Sequence, residues 1–192
     1  MNVFYDFIAA VKTLVDLKYT SAGKIAIIGA SNGGLLVGAA LTQHPELFGA
    51  TVPQVGVLDM LRFQKFTIGW AWQSDYGSSE TADGFNILIK YSPLQNIVPG
   101  KCYPPTLITT GDHDDRVLPG HSFKFAATLQ AAQACANPIL IRVDNKVGHG
   151  SGKPIAKVID EQSDTLAFMW NAVDHAGRIS SQTPVRATNY SR

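Results

Sequence analysis

The chain has 192 residues, of which 45% are hydrophobic and 16% charged, and its formal net charge is +1. This composition is typical of a soluble globular protein with an apolar core, and it excludes a disordered chain. Near-neutral charge without basic runs gives no electrostatic reason to expect nucleic acid or an anionic membrane as a partner. The length allows one domain, and no internal repeat or linker divides it.

The first element that the sequence predicts is an amphipathic helix over residues 2–18, because apolar side chains recur there at helical spacing. Asp6, Lys12 and Asp16 interrupt the apolar pattern. Neither a secretory signal core nor a membrane span fits such a segment, so we expect a cytoplasmic location and no membrane partner. The triplet at 189–191 has the form of a glycosylation acceptor and is then interpreted as chance.

A glycine-rich turn follows between two apolar runs. The Ile-rich run over residues 24–28 is typical of a strand buried on both faces. The Leu- and Ala-rich run over residues 35–41 is typical of a helix, which we expect to end near Gln43 before His44-Pro45. The turn itself reads Gly29-Ala30-Ser31-Asn32-Gly33. Gly-x-Ser-x-Gly between a strand and a helix is the pattern of a nucleophile elbow.

In this interpretation the hydroxyl of Ser31 stands at the carboxyl end of the strand, and the amide of Asn32 points towards the reacting carbonyl. We expect a side chain at Gly29 or Gly33 to clash with the strand or to block a substrate, and Gly34 to relieve the same crowding. A phosphate-binding loop is disfavoured because the glycine signatures of nucleotide sites are missing from the sequence. An ordinary strand-to-helix turn that happens to contain a serine is the remaining alternative.

Beyond the turn, strands alternate with helices. We predict strands over residues 50–55, 106–110 and 139–143, and helices over residues 119–134 and 154–175. Pro53 weakens the prediction for the first of these strands, and residues 56–100 mix short helical turns with an aromatic segment. The alternation predicts an α/β protein with a parallel sheet that gathers ligands at the carboxyl ends of its strands. We assign residues 1–175 to this domain and expect the polar tail 176–192 to be poorly ordered.

The partners of a nucleophilic serine are expected after the later strands, because in α/β-hydrolases the triad runs serine, acid, histidine along the chain. The loop after residues 106–110 contains Asp112, Asp114 and Asp115, and spacing leaves the choice among these three acids open. The loop after residues 139–143 contains His149 between two glycines. We therefore predict Ser31 as a nucleophile, His149 as its base and one of the three carboxylates as the group that orients the imidazole.

The other four histidines have weaker claims to catalysis. His44 lies at a helix end beside a proline and is interpreted as structural or exposed. His113 and His121 flank the acidic loop and could line the site. His175 lies near the end of the last predicted helix, where a cation favours the helix dipole.

Cys102 and Cys135 lack metal-ligand or redox spacing. We favour two neutral thiols in a reducing compartment over a disulfide between them. No metal or cofactor motif is found in the sequence, so we expect neither a metal nor a cofactor.

Four runs of the sequence, at residues 30–36, 65–72, 111–117 and 148–154, together resemble the catalytic domain of the prolyl oligopeptidase family. The resemblance covers nearly the whole chain up to about residue 174. It implies the C-terminal part of an α/β-hydrolase fold, with a mostly parallel sheet and helices on both faces. It also implies a cytosolic serine endopeptidase that cleaves short peptides on the carboxyl side of proline through an acyl-enzyme.

The resemblance also implies individual roles. Carried over position by position, it makes Ser31 the nucleophile, Asp114 the triad acid, His149 the base and Asn32 the backbone oxyanion donor. Asp112 and Asp115 then fall to supporting roles. The resemblance also implies substrate-binding residues. Trp72 matches an indole that stacks on the proline ring, and the other walls of that pocket are matched by Tyr76, Val57 and Val117. Arg116 matches an arginine that bonds the substrate backbone. Without the resemblance, a core tryptophan and a surface ion pair would be favoured for Trp72 and Arg116.

Two parts of the family have no match in this sequence: a β-propeller that filters substrates, and the first strands of the hydrolase sheet with a second oxyanion donor, a tyrosine hydroxyl. We therefore expect a truncated catalytic domain with little activity, whose strand over residues 24–28 exposes an apolar edge that invites aggregation. Three alternatives stay open: an esterase or lipase, a non-catalytic interaction fragment, and a family member that joins peptide ends. The last one shares the acyl-enzyme with the peptidase.

Overall fold

Four parallel strands form the centre of the protein, and a computed structural model describes residues 1–174. The elements in chain order are α1 (Asn2–Asp16), β1 (Ala26–Ala30), α2 (Asn32–Gln43), β2 (Ala50–Gln54), α3 (Gln73–Tyr76), α4 (Ala82–Leu88), β3 (Thr106–Gly111), α5 (Gly120–Ala132), β4 (Ile139–Asp144) and α6 (Ile155–Asp174). Short 3-10 turns occur in the connections. The predicted strands and main helices are found within a few residues of their expected positions. The tail at 176–192 and His175 lie outside the described residues.

The strands run in the spatial order β1-β2-β3-β4, and each neighbouring pair is parallel. The register places Ile27 beside Thr51, Thr51 beside Thr106, and Thr106 beside Ile139. The prediction of an α/β fold with a parallel sheet is thereby confirmed. Pro53 is accommodated inside β2, opposite Gly29 of β1.

One face of the sheet is packed against three helices. Alternation along the strands places Ile27, Ile108 and Ile139 on this face. Ile27 shares a cluster with buried residues of α1 and α2, whereas Ile108 and Ile139 pack with α5. Phe125 of α5 is completely buried there. This face therefore holds most of the apolar core around the sheet.

The opposite face has sparser cover within the described residues. Arg142, which alternates with the core residue Ile141, forms an ion pair with Asp164 of α6, so that α6 lies on this second face. Ile28 and Leu140 also point there, and they keep 45% and 47% of their surface exposed. α6 itself exposes apolar side chains, namely Ile155, Ile159, Leu166 and Trp170. β1 is an end strand of the described sheet, and Ile28 within it is exposed. That this edge invites aggregation stays a prediction.

None of the helices within residues 1–174 combines the length and hydropathy that a membrane-crossing helix needs.

The two cysteines are joined. Cys102 and Cys135 form a disulfide with their Cα atoms 5.2 Å apart. It links the segment before β3 to the segment after α5, where Lys101 and Gln133 also form an isolated parallel bridge. The prediction of two neutral thiols is therefore wrong. Packing of α5 beside β3 brings the two segments together, and their separation of 33 residues in the sequence gave no sign of this proximity.

Candidate active site

Ser31 occupies the turn between β1 and α2 in a strained backbone conformation. Its φ is 58° and its ψ is −117°, in a region that non-glycine residues rarely adopt. The amide of Ser31 donates a hydrogen bond to the carbonyl of Gln54, at 2.9 Å, which ties the turn to the end of β2. The serine thus stands at the carboxyl end of β1, where the sequence predicted it.

The glycines around Ser31 differ in how closely their neighbours approach. A Cβ atom on Gly29 would lie 2.7 Å from the carbonyl carbon of Gly33, and one on Gly34 would lie 2.6 Å from the Cα of Gly56. A Cβ on Gly33 would meet nothing within 4 Å. The clash predicted at Gly33 is therefore wrong, because this residue faces open space at the start of α2. Blockage of a substrate by a side chain at Gly33 stays a prediction.

Asp114 and His149 form a hydrogen-bonded pair. His149 Nδ1 lies 2.7 Å from Asp114 Oδ2, and the Asp114 side chain is completely buried. The other oxygen, Oδ1, accepts hydrogen bonds from the amides of Arg116 and Val117 at 3.0 and 2.8 Å. Both carboxylate oxygens therefore have hydrogen-bond donors, which fixes the orientation of the buried Asp114 side chain. An imidazole that donates from Nδ1 leaves Nε2 free to accept a proton.

The two other candidate acids point elsewhere. Asp112 Oδ1 lies 2.6 Å from His113 Nδ1, and this hydrogen bond is the main reason why the pKa of Asp112 is lowered. The same oxygen accepts a weaker bond from the amide of Val147, in the loop that carries His149. Asp115 is exposed. The geometry therefore favours Asp114 among the three carboxylates.

The serine turn and the imidazole border one cavity. It has a volume of about 180 Å³ and is lined by Ala30, Gln54, Gly111 and His149, among others. Ala30 directly precedes Ser31, so the strand ends of β1 to β3 and the histidine loop meet around this space. Within the described residues, Ser31 Oγ makes no hydrogen bond to His149. The structure therefore joins Asp114 to His149 by a hydrogen bond, whereas Ser31 is related to His149 only through a cavity that its neighbour Ala30 and His149 both line.

The aromatic segment lies against the same turn. The hydroxyl of Tyr76 donates to Asn32 Oδ1 at 2.8 Å, and burial raises the pKa of Tyr76. Tyr76 and Trp72 are partly buried and pack on one cluster with Val57 and Val117. The four side chains that were predicted to form a proline pocket therefore converge next to the residue after Ser31.

Arg116 is exposed at the edge of this cluster, and its carbonyl accepts a hydrogen bond from Thr67 at 3.2 Å.

His121 is 1% exposed and packs its ring edge-on against Phe66. Its Nδ1 accepts a hydrogen bond from the amide of Asp59. His121 is therefore a buried residue that packs against the aromatic segment.

Sequence reasoning missed two buried charged groups near the site. The carboxylate of Asp59 is completely buried and pairs with Lys124 beneath the aromatic segment. Lys153, just past the histidine loop, binds two carboxylates and also lines the cavity beside His149. Asp59 lies among apolar neighbours and Lys153 follows a glycine-rich loop, and no spacing rule identifies their distant partners. Within residues 1–174, no group of three or more His, Cys, Asp or Glu side chains is arranged to hold a metal ion.

A strained serine between a parallel strand and a helix, with a buried Asp–His pair at the same end of the sheet, defines the α/β-hydrolase class. The chain matches the Prolyl oligopeptidase family over residues 1–176 and belongs to that family. The resemblance noted in the sequence is thereby confirmed.

Characterised relatives support this assignment. The prolyl endopeptidase of Elizabethkingia miricola is 53% identical over 168 residues, which cover 87% of this chain and 24% of the relative. Prolyl oligopeptidase A of Galerina marginata is 48% identical over 185 residues, which cover 95% of this chain and 25% of the relative. A solved structure from a study of two prolyl endopeptidases has a TM-score of 0.87 and 44% identity, over 90% of this chain and 26% of the solved one. The chain thus spans about a quarter of the length of these relatives.

Proposed function

We propose that this chain supplies the nucleophile, the acid–base pair and the proline pocket of a serine endopeptidase that cleaves short peptides on the carboxyl side of proline. The observation that carries the proposal is the 2.7 Å hydrogen bond between His149 and the buried Asp114, beside a cavity that the Ser31 turn also borders. Two of the relatives described above are named for prolyl peptidase activity, which supports the same substrate class. A cytoplasmic location stays a prediction from the sequence.

In the proposed reaction, Ser31 Oγ attacks the carbonyl carbon of the proline residue while His149 Nε2 takes the hydroxyl proton. Asp114 accepts the Nδ1 proton in a hydrogen bond and stabilises the imidazolium that forms. His149 then gives its proton to the leaving amine, and the acyl group remains on Ser31. A water molecule, activated by the same imidazole, releases the peptide and restores the serine.

The negative charge that develops on the carbonyl oxygen is stabilised by the amide of Asn32. In the family that this chain resembles, a second oxyanion donor is a tyrosine hydroxyl, and no residue of this chain matches it. Loss of one such donor typically lowers turnover by about 10² to 10³. We therefore expect the isolated chain to turn over slowly compared with a full-length relative.

Substrate choice follows from the aromatic segment. A proline ring is weakly polar and, within a peptide, carries no N–H group, so the flat face of Trp72 in an apolar pocket suits it. Val57, Val117 and the ring of Tyr76 close that pocket. Arg116 is exposed at the edge of this cluster, and in the proposal it bonds the peptide backbone just upstream of the proline.

The test compares three substrates with the same reporter group: a proline amide, the matched alanine amide and a simple acyl ester. We expect the purified chain to cleave the proline amide at least about fivefold faster than the alanine amide, since loss of an aromatic contact typically changes binding by about 1 kcal/mol. Ser31→Ala should abolish the activity, and Trp72→Ala should reduce the preference. Equal rates on both amides would contradict the proline pocket, and cleavage of the ester alone would favour an esterase instead. Mass spectrometry of the products separates hydrolysis from peptide joining.

A further inference from the structure

The loop that carries His149 has little intrinsic rigidity. Residues 145–152 include Gly148, Gly150 and Gly152, and the last two have φ values of 119° and 74°. Open space surrounds both of these glycines, where an added Cβ would meet nothing within 4 Å. Glycine loses more conformational freedom on ordering than other residues. A general base, however, must be held close to its working geometry. Something outside the loop has to supply that order.

Lys153 closes this loop at its base. Its ammonium group forms an ion pair with Asp144, the last residue of β4, so that the two residues flanking the loop are joined to each other. The same group binds Glu161 Oε2 in α6 at 2.6 Å. Only 6% of the Lys153 side chain is exposed, compared with 11% for Asp144 and 18% for Glu161. One buried cation therefore ties the loop to the strand before it and to the helix after it.

The charges around Lys153 show why an apolar residue could not replace it. Asp144 has a second partner, because Arg142 Nη2 lies 3.2 Å from its Oδ1. The one ion pair of Glu161 within the described residues is with Lys153. Removing the ammonium would leave the largely buried Glu161 carboxylate without its ion-pair partner, and removing one partner of a buried pair is strongly unfavourable. Burial acts to lower the pKa of Lys153, but the hydrogen bonds that its ammonium donates to Asp144 and Glu161 outweigh this and raise the pKa above its ordinary value.

We infer that Lys153 is a positioning residue, which closes the loop at 145–152 through Asp144 and Glu161 and thereby holds the imidazole of His149 against Asp114. This role rests on the proposed function of His149 as the base. Lys153 and Glu161 also line the cavity beside His149. The clamp formed by Asp144, Lys153 and Glu161 therefore lies next to the loop that carries the imidazole. Within the described residues, the side-chain hydrogen bonds and ion pairs of Lys153 are with Asp144 and Glu161, and none is with Ser31 or the proline pocket.

The test uses Lys153→Met, which keeps the length of the side chain, Lys153→Arg, which keeps the charge, and Lys65→Met as a matched control. Lys65 forms an ion pair with Glu80 in which both side chains are about 60% exposed. Amide hydrogen exchange by NMR reports on the loop through two amides that bond across it: Val147 to Asp112, and His113 to the carbonyl of Val147. The downfield proton resonance of the His149–Asp114 hydrogen bond reports on the imidazole.

We expect Lys153→Met to speed exchange of these two amides by about tenfold or more and to broaden the downfield resonance, while the amides of α2 keep their protection. Lys153→Arg should restore both signals, and Lys65→Met should leave them unchanged. The inference is overturned if Lys153→Met leaves both signals as in the parent chain, or if protection falls equally in α2, which would indicate general loss of stability. If Lys153→Met does not fold, Glu161→Gln gives the same test with one partner weakened.

Activity provides a separate readout. On the proline amide, Lys153→Met should lower kcat and leave KM unchanged, and Lys153→Arg should recover kcat. Neither the exchange rates nor the downfield resonance requires turnover. An inactive chain would therefore count against the proposed function, while the clamp would still be judged by the NMR signals.

Discussion

The two faces of the sheet differ in how completely helices cover them. The face covered by α1, α2 and α5 is stabilised by completely buried apolar side chains such as Phe125, whereas the face covered by α6 leaves Ile28 and Leu140 nearly half exposed. The candidate site draws on both. Ser31 is fixed by backbone packing between β1 and α2, but His149 sits on a glycine-rich loop tied to α6 by ion pairs. Backbone contacts therefore hold the proposed nucleophile, whereas in our inference buried charges hold the proposed base.

The largest expected effect is a difference in stability between a substitution on one face of the sheet and a substitution on the other. Phe125→Ala should lower the free energy of unfolding by about 3 to 5 kcal/mol, because it leaves a cavity in a closed core. Leu140→Ala, on the α6 face, removes a side chain that is 47% exposed and should lower it by about 1 kcal/mol. Urea titration of both variants measures the difference. Equal losses would show that the second face is packed as tightly as the first.

The disulfide next to the packed face should contribute somewhat less. Replacing both Cys102 and Cys135 by serine should lower the free energy of unfolding by about 2 to 4 kcal/mol, since the cross-link restricts the unfolded chain. Urea unfolding with and without a reductant tests this. The reductant should destabilise the parent chain and leave the double variant unchanged. A parent chain that is insensitive to full reduction would contradict the expected stabilisation.

His121, in the first turn of α5, should make the packed face sensitive to acid. Burial lowers its pKa to about 4 from an ordinary value of 6.5, with Asp59, Lys124 and Asp114 as charged neighbours. The unfolded chain therefore binds the proton more readily than the folded one between these values. The stability from the neutral imidazole is complete above about pH 6.5 and is lost as the pH falls towards 4, by about 3 kcal/mol in all.

Urea unfolding at several pH values measures this slope. His121→Asn keeps an acceptor for the Asp59 amide and cannot take up the proton, so its stability should fall less between pH 6.5 and 4. A parent and variant with the same pH dependence would show that His121 does not titrate in this window.

The smallest effect on stability is expected on α6. Trp170→Glu changes a side chain that is 77% exposed and should alter the free energy of unfolding by less than about 0.5 kcal/mol. It should, however, reduce self-association, because exposed apolar surface next to an edge strand favours contacts between chains. Sedimentation velocity of the parent and the variant compares their association. A loss of stability without any change in association would contradict this view of the α6 face.

The fold was predictable because its signals are local. Runs such as residues 24–28 and 139–143 have the composition of buried parallel strands, and Gly-x-Ser-x-Gly fixed the position of the turn. Distant pairings were not predictable. The Cys102–Cys135 bridge depends on how α5 packs, and the open space at Gly33 depends on the start of α2. The choice of Asp114 among three neighbouring acids came from the family resemblance, since spacing treats all three alike.

The buried charges of Lys153 and Asp59 went unnoticed for the same reason. Their partners, Glu161 and Lys124, lie on helices whose placement the sequence does not give. A lysine in a loop is ordinarily solvated, so its burial becomes visible only when the tertiary contacts are known.

Labelling with a fluorophosphonate probe tests the central claim, that Ser31 is a nucleophile activated by His149 and Asp114. We predict one adduct per chain, located on Ser31 by peptide mapping and absent from Ser31→Ala. His149→Ala should slow its formation by about 10² or more, as expected for loss of a general base. An unlabelled Ser31, or a His149→Ala variant that reacts as fast as the parent chain, would contradict the account.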